Sequence, residues 1–195
     1  MSKILKIIST ICFILVLLVE PAAKSAPAQV FIIRHGEKPE FGNDLDFQGY
    51  QRAAGLANFF ENTPELKKFG LPVAIFAMAP SSDDPSKRPI ETVTPLANAL
   101  GIQINTSFSK LQLQPMVSQI MQNAAYDNKA LLICWEHKMM PYLARDFGAS
   151  GAPFNWEDNV FNQVWILSFT GSGMTQFKSI LENILPSDSL LLKWR

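Results

Sequence analysis

The chain alternates short apolar runs with segments of helical periodicity, and this pattern limits the folds open to it. Ile102 and Ile104 indicate one short strand. Longer runs, rich in Val, Ile, Leu, Phe and Trp and bounded by polar or turn residues, are typical of buried strands and lie at 30–33, 73–77, 131–135 and 164–169. Strands that alternate with helices predict an α/β domain with a mostly parallel central sheet and helices on both faces.

The helices are predicted from the spacing of apolar residues between these strands. Residues 48–60 and 86–100 form two of them, and Pro95 is expected to kink or split the second before it ends at Gly101. The same spacing predicts a helix through Met116, Ile120 and Ala124, a short helix after Pro141, and a last helix through Met174, Phe177, Ile180, Leu181 and Ile184, entered by the turn "TGSGM" at 170–174.

The beginning of the chain has the layout of a secretory signal peptide. Lys3 and Lys6 precede an apolar run at 7–19, and a stretch of small residues follows it. A membrane anchor is the weaker alternative, because a spanning helix needs about 20 apolar residues. We therefore expect a signal peptide at 1–28 and an exported protein, periplasmic or secreted, without a stable membrane anchor.

Cleavage after Ser25 or after Ala28 fits the small residues at the end of this leader. The remaining residues, 29–195, suffice for one domain with its own core. They hold 14 basic and 16 acidic residues, and this balance argues against a nucleic-acid partner. Cys134 is their only cysteine, so no disulfide forms within the exported chain.

Both histidines of the chain follow predicted strands. His35 comes after the run 30–33, beside Arg34, and His137 comes after the run 131–135. Ligands of open α/β sheets bind outside the carboxyl ends of the strands. We therefore expect the two histidines to lie in one site.

Phosphoryl transfer is the chemistry that suits these residues. An arginine guanidinium matches the oxygens of a phosphate with parallel hydrogen bonds, and Arg34 and Arg88 are candidates for this role. A neutral imidazole is a covalent nucleophile, and a protonated imidazole stabilises charge on the transferred oxygens. Such a site needs neither a metal nor a cofactor.

Several segments resemble the histidine phosphatase superfamily, and in particular small exported members of its phosphoglycerate-mutase-like branch. They are "RHGEKP" after the first strand, "LDFQGYQRAAGLA" (45–57), "SKRPIETVTPLANALG" (86–101), "ICWEHKMMPYLARDFG" (133–148) and "WEDNVFNQVWIL" (156–167). The resemblance implies a phosphoglycerate-mutase-like fold without a large cap domain. It also implies a small phosphorylated substrate, with the polar segment 105–128 as a neutral wall of its pocket.

The resemblance also assigns roles to residues. His35 becomes the nucleophile that forms a phosphohistidine, and Arg34, Arg88 and His137 complete the phosphate pocket. The proton donor departs from the family pattern, because 102–126 contains no acidic residue and Lys138 stands where related enzymes have an aspartate. Glu136 is the tentative donor, provided that the strand has ended before it, since adjacent strand residues face opposite sides. The other candidates are Glu37, Asp83, Asp84 and Asp158.

Three functions follow from this pattern. The first is a phosphatase that hydrolyses phosphate monoesters or phosphoanhydrides without a metal. The second is a catalytically weak or inactive phosphate-binding or scaffold protein on the same fold. The third is a metal hydrolase that uses His35, His137 and nearby carboxylates; it is disfavoured because zinc sites usually draw closely spaced ligands from one segment. The natural substrate stays open among sugar phosphates, envelope groups, nucleotides and phosphorylated protein side chains.

Overall fold

A computed structural model describes residues 26–170 and 174–189. In chain order, its elements are β1 (Gln29–Arg34), α1 (Phe47–Asn62), α2 (Pro64–Lys67), β2 (Ala74–Ala77), α3 (Arg88–Leu100), β3 (Ile104–Asn105), α4 (Leu113–Gln122), β4 (Ala130–Trp135), α5 (Met140–Asp146), β5 (Gln163–Phe169) and β6 (Thr175–Leu181), with 3-10 helices at Ala124–Tyr126, His137–Met139 and Pro186–Ser189.

The strands form one sheet in the order β3-β2-β4-β1-β5-β6. β1, β2, β3 and β4 pair in parallel, whereas β5 runs antiparallel to β1 and β6 antiparallel to β5. The mostly parallel sheet predicted from the sequence is confirmed. Its centre is the β1–β4 pair, whose carboxyl ends lie side by side.

Both faces of the sheet are covered, and β1 shows how its sequence allows this. Val30 and Ile32 point into a core shared with α4 and α5, whereas Phe31 and Ile33 point into a core shared with α1 and α3. A strand with two buried faces needs an unbroken apolar run, and β1 has one. Helices on both faces are thus confirmed.

Helix α3 is one uninterrupted helix, although Pro95 lies inside it. The expected split at Pro95 is therefore wrong. Val93, Leu96 and Ala97 of α3 are buried against the sheet, and this packing offsets the backbone hydrogen bond that a proline removes. Gly101 ends α3 in the left-handed conformation at φ 66°, as its position predicted.

The last predicted helix is a strand instead. Residues 175–181 form β6 and pair along their full length with β5. Their apolar residues fit a helical period, but β5 has a free edge whose N–H and C=O groups need partners. A neighbouring segment that can satisfy this edge becomes a strand despite its pattern. The turn "TGSGM" therefore leads into a strand, although its residues 171–173 lie outside the described part.

The start of the folded domain includes Ala26 and Ala28. The Ala28 N–H donates to the Lys129 carbonyl at 2.8 Å, and the Asn128 N–H donates to the Ala26 carbonyl at 3.0 Å. The predicted signal peptide otherwise lies outside the described residues. Within the described ranges, no helix is both long and apolar enough to cross a membrane.

The loop after β1 packs against α1 through a glycine. Asp46 caps α1 by accepting from the Gly49 N–H at 2.7 Å, and the Asp46 N–H donates to the Glu37 carbonyl. A Cβ atom on Gly49 would overlap the carbonyl oxygen of Glu37 and lie 2.9 Å from its nitrogen. Only glycine allows α1 to approach the loop this closely.

A buried ion cluster ties the end of the chain to the same loop. The Arg52 guanidinium of α1 donates to Glu37 at 3.0 Å, to Glu182 at 3.2 Å and to Asp188 at 2.8 Å. Burial raises the pKa of Glu182 to about 8, because the nearby Arg52 offsets only part of the desolvation cost and the charge of Asp188 adds to it. The protonated form of Glu182 is therefore favoured at neutral pH.

We expect Gly49→Ala to lower the free energy of unfolding by about 1–3 kcal/mol, because the added methyl group must displace backbone rather than a flexible side chain. Chemical denaturation measures this change. Gly151→Ala is the matched control, since a Cβ there meets its nearest neighbour, Phe177, at an ordinary 3.8 Å. Equal stabilities for the two variants would show that α1 does not pack as described.

We expect Glu182→Gln to flatten the pH dependence of stability. The folded-state pKa of Glu182, about 8, lies above the usual value near 4.5. Its stabilising contribution is therefore complete below pH 4.5 and is lost as the pH rises through 8. Wild type should lose on the order of 2–4 kcal/mol between these limits through this group, and the variant should not. Urea unfolding at pH 5 and pH 8.5 tests this, and an equal loss in both proteins would contradict it.

Candidate active site

The neighbouring strands β1 and β4 end side by side, and the two histidines follow them at the same edge of the sheet. Arg34, at the end of β1, pairs with Trp135, at the end of β4. Since the strands are parallel, His35 and the pair Glu136 and His137 leave the sheet at the same edge. The His35 N–H donates to the Trp135 carbonyl at 3.4 Å.

The His35 ring is held in one tautomer. The residue is only 4% exposed, and its Nδ1 lies 2.8 Å from the carbonyl oxygen of Gly36. A carbonyl oxygen only accepts hydrogen bonds, so Nδ1 carries the proton. In the neutral ring, Nε2 then keeps its lone pair.

His35 is neutral over the physiological range. Burial, helped by the positive charges of Arg34 and Arg88 and by His137, lowers the pKa of His35 to about 4, although the hydrogen bond to Gly36 acts in the opposite direction. Arg34, Arg88 and His137 therefore lie near enough to His35 for each of them to affect its pKa.

Thr92 fixes the peptide that orients His35. The Gly36 N–H donates to the Thr92 hydroxyl at 2.9 Å, and this hydroxyl donates to the Arg88 carbonyl one turn earlier in α3 at 2.7 Å. The sequence carried a sign of this contact, because Thr92 follows Arg88 by four residues and so lies on the same face of the helix.

Arg88 lies at the start of α3 and is half-buried. Its Nε–H donates to the Asp44 carbonyl at 3.1 Å, and another guanidinium N–H donates to the Gly42 carbonyl. These bonds fix the guanidinium against the loop between β1 and α1. Its charge reaches His35 from this position.

Arg34 is 2% exposed and binds the loop before β5. Its Nη1 donates to the carbonyls of Asp158 at 2.7 Å and Val160 at 3.0 Å, and the guanidinium carbon lies 3.8 Å from the centre of the Phe161 ring. Burial lowers the pKa of Arg34 to about 10, against the charges of Asp158 and Glu136. Arg34 therefore stays charged at neutral pH.

His137 lies between two carboxylates. Its Nε2 is 2.6 Å from Oδ1 of Asp158, and its Nδ1 is 3.0 Å from Oε1 of Glu136. The first contact has hydrogen-bond geometry, whereas the second is an ion-pair contact without the alignment of a hydrogen bond. Asp158 reaches the site from a loop that Arg34 holds by its backbone.

Glu136 points to the same side as His137, because β4 ends at Trp135 and a 3-10 helix begins at His137. Burial alone would raise the pKa of Glu136, but its contact with His137, the Lys138 N–H and the charge of Lys110 lower that pKa to about 2. Glu136 is thus ionised at neutral pH. In this state it has no proton to donate to a leaving group.

Lys110 is a site residue that the sequence did not suggest. Its Nζ lies 3.1 Å from Oδ2 of Asp84 and 3.7 Å from Oε2 of Glu136. A single lysine in a polar segment carries no signal of this contact, and the segment 105–128 was expected to be a neutral wall. Lys110 reaches the site because its carbonyl accepts from the Trp135 indole N–H at 3.1 Å.

The other candidate proton donors face different partners. Glu37 binds Arg52, Asp84 binds Lys110, and Asp83 is exposed beside Ser82. Asp158 alone of these candidates contacts a histidine of the site. Among the described residues, no group of three or more His, Cys, Asp or Glu side chains is arranged to hold a metal ion.

The fold is similar to that of two solved phosphatase structures. The protein histidine phosphatase SixA complexed with tungstate is 14% identical, with a TM-score of 0.52 over 79% of this chain and 97% of that one. A protein assigned as phosphohistidine phosphatase SixA from Agrobacterium tumefaciens is 16% identical, with a TM-score of 0.51 over 80% of this chain and 97% of that one. No family model and no curated protein matches the sequence. The structural likeness confirms the predicted phosphoglycerate-mutase-like fold.

We expect nitrogen NMR of the imidazole rings to show His35 as the neutral Nδ1–H tautomer from pH 5 to pH 8, with a midpoint near pH 4. The chain has two histidines, so a His137→Asn variant assigns the signals. A His35 midpoint near the ordinary value of about 6.5 would contradict the burial and charge environment described here.

Proposed function

We propose that this protein is a metal-independent phosphatase of the histidine phosphatase superfamily, hydrolysing phosphate monoesters or phosphoanhydrides through a phosphohistidine at His35. The observation that carries this proposal is the state of His35. Its neutral ring keeps a lone pair on Nε2 while the charges of Arg34, Arg88 and His137 converge on it. Nucleophilic attack needs the lone pair, and the transferred phosphoryl group needs the positive charge.

In the first step, Nε2 of His35 attacks phosphorus and forms an N–P bond while the bond from phosphorus to the leaving oxygen breaks. The proton stays on Nδ1, hydrogen-bonded to the Gly36 carbonyl, so the ring becomes a phosphorylated imidazolium while the leaving oxygen keeps the electron pair of the broken bond. Arg34, Arg88 and His137 stabilise the charge on the phosphoryl oxygens. In the second step, water attacks phosphorus, the N–P bond breaks, and His35 returns to its neutral form with release of inorganic phosphate.

An unpaired donor in the site supports a bound oxyanion. The buried Nε of Arg34 has no hydrogen-bond partner in the described part of the chain. Buried donors are rarely left without an acceptor, because such a group costs about 1–3 kcal/mol. A phosphate oxygen would supply the missing acceptor.

The carboxylates around His137 restrict the leaving group. Glu136 is ionised, and contact with His137 lowers the pKa of Asp158. Neither carboxylate holds a proton at neutral pH. We therefore propose substrates whose leaving groups need little protonation: phosphoanhydrides, aryl phosphates, or a phosphorylated imidazole such as the phosphohistidine in the name of the Agrobacterium neighbour.

We further propose that the protein acts outside the cytoplasm after loss of its leader, as a small exported member of the superfamily. Cleavage after Ser25 is favoured over cleavage after Ala28, because Ala26 and Ala28 make backbone hydrogen bonds with residues 128 and 129. A mutase role is disfavoured, since phosphorylated glycolytic intermediates are cytosolic. The mass of the exported chain measures the cleavage site.

A phosphate-binding protein without turnover is the second candidate. The observation that favours it is that both arginines already donate hydrogen bonds to the backbone. Arg34 donates to carbonyls of the loop before β5, and Arg88 donates to carbonyls of the loop after β1. Arginines held by backbone oxygens have fewer free donors for a transition state. This candidate differs from the first in one measurable property, since it binds phosphate and releases no product.

The decisive experiment is hydrolysis of an aryl phosphate by the chain beginning at Ala26. We expect turnover that resists a chelator and falls at least about a thousandfold in His35→Ala, because the nucleophile is gone. Brief mixing with labelled substrate should trap one phosphoryl group per chain, stable in alkali and labile in acid. As the pH is lowered, activity should persist until His35 becomes protonated near pH 4.

Controls separate chemistry from folding. His35→Ala must melt near the wild-type temperature, and Glu157→Gln, an exposed change in the loop beside the site, should keep full activity. Near-normal turnover in His35→Ala would refute the phosphohistidine route. Phosphate binding without turnover in wild type would favour the second candidate.

A further inference from the structure

The contact between His137 and Asp158 has an unusual setting. The two side chains meet at 2.6 Å, yet the side chain of Asp158 is 84% exposed while that of His137 is 10% exposed. One partner of this ion pair is therefore fixed in the site, and the other reaches in from solvent. Asp158 is hydrogen-bonded to Nε2 of His137, and His137 belongs to the proposed phosphate pocket.

The backbone of Asp158 is held independently of its side chain. Its carbonyl accepts from Arg34 at 2.7 Å, and the carbonyl of Val160 accepts from the same nitrogen at 3.0 Å. The Asp158 carboxylate can consequently rotate into water while the loop stays in place. No described contact other than the one with His137 binds this carboxylate.

The charges around His137 determine what can replace Asp158. Glu136 faces its Nδ1, Arg34 lies under the loop, and Lys110 neutralises part of the charge of Glu136. An ion pair with one partner in solvent contributes little, because water and salt screen the exposed charge. A phosphate dianion brings a second charge and further acceptor oxygens, so it forms stronger bonds with the same donor.

We infer that Asp158 is an internal competitor of the substrate phosphate: its carboxylate binds Nε2 of His137 in the free protein, and an incoming phosphoryl group must displace it. This inference rests on the proposed function, because it places the phosphate at His35 and His137. By binding Nε2 of His137, Asp158 weakens the binding of both the phosphorylated substrate and inorganic phosphate. It therefore speeds the release of inorganic phosphate after the second step, when the carboxylate returns to His137.

The test is the affinity for inorganic phosphate, which requires no turnover. Isothermal titration at pH 7.5 compares wild type with Asp158→Asn and Asp158→Ala. We expect both variants to bind phosphate about fivefold more tightly, which corresponds to the upper range for an exposed ion pair. A structural disturbance of the loop would weaken binding, so tighter binding identifies the competition.

Glu157→Gln is the matched control, because it removes a neighbouring exposed carboxylate that has no contact with His137. We expect its affinity to match that of wild type. Equal tightening in Glu157→Gln and Asp158→Asn would overturn the inference, since a general charge effect would explain both. Unchanged or weaker binding in Asp158→Asn also overturns it, while phosphate binding by wild type leaves the proposed function standing. If no form of the protein binds phosphate, both proposals fail.

Discussion

The buried guanidinium of Arg34 connects the sheet, the sheet edge that carries the two histidines, and the loop before β5. It sits at the end of β1 and takes its acceptors from backbone carbonyls of Asp158 and Val160, with the face of Phe161 against it. A buried charge is tolerated when polar groups replace its water, and here the backbone of the loop does so. The cation that stabilises the loop also lowers the pKa of His35, so structure and chemistry depend on one side chain.

The site balances two sets of charges. Burial and the cations near His35 keep its ring neutral, whereas two carboxylates face the ring of His137. Glu136 and Asp158 each contact a different nitrogen of the His137 ring. The neighbours of Glu136 and Asp158 lower the pKa of both carboxyl groups, so neither group carries a proton at neutral pH.

Much of this arrangement was predictable from local sequence. The apolar runs predicted the β1, β2, β4 and β5 strands, and Arg34, His35 and His137 were placed at a shared sheet edge because parallel strands end together. β6 was missed because its apolar spacing fits a helix equally well. The spacing of Thr92 from Arg88 placed both on one face of α3 but did not identify Gly36 as a partner, and Lys110 was missed because a lone polar residue has no periodic signal.

The sequence by itself determined the α/β class, the order of its main elements and the two histidines at strand ends, since these depend on hydrophobic periodicity and short-range backbone rules. Only the tertiary structure decided the partners of the charged groups. Arg52 binds Glu37 of the loop after β1 together with Glu182 and Asp188 near the end of the chain, and Asp158 meets His137 from beyond α5. Such pairings depend on burial and on distances of a few ångströms, and neither is encoded in the spacing of residues along the chain.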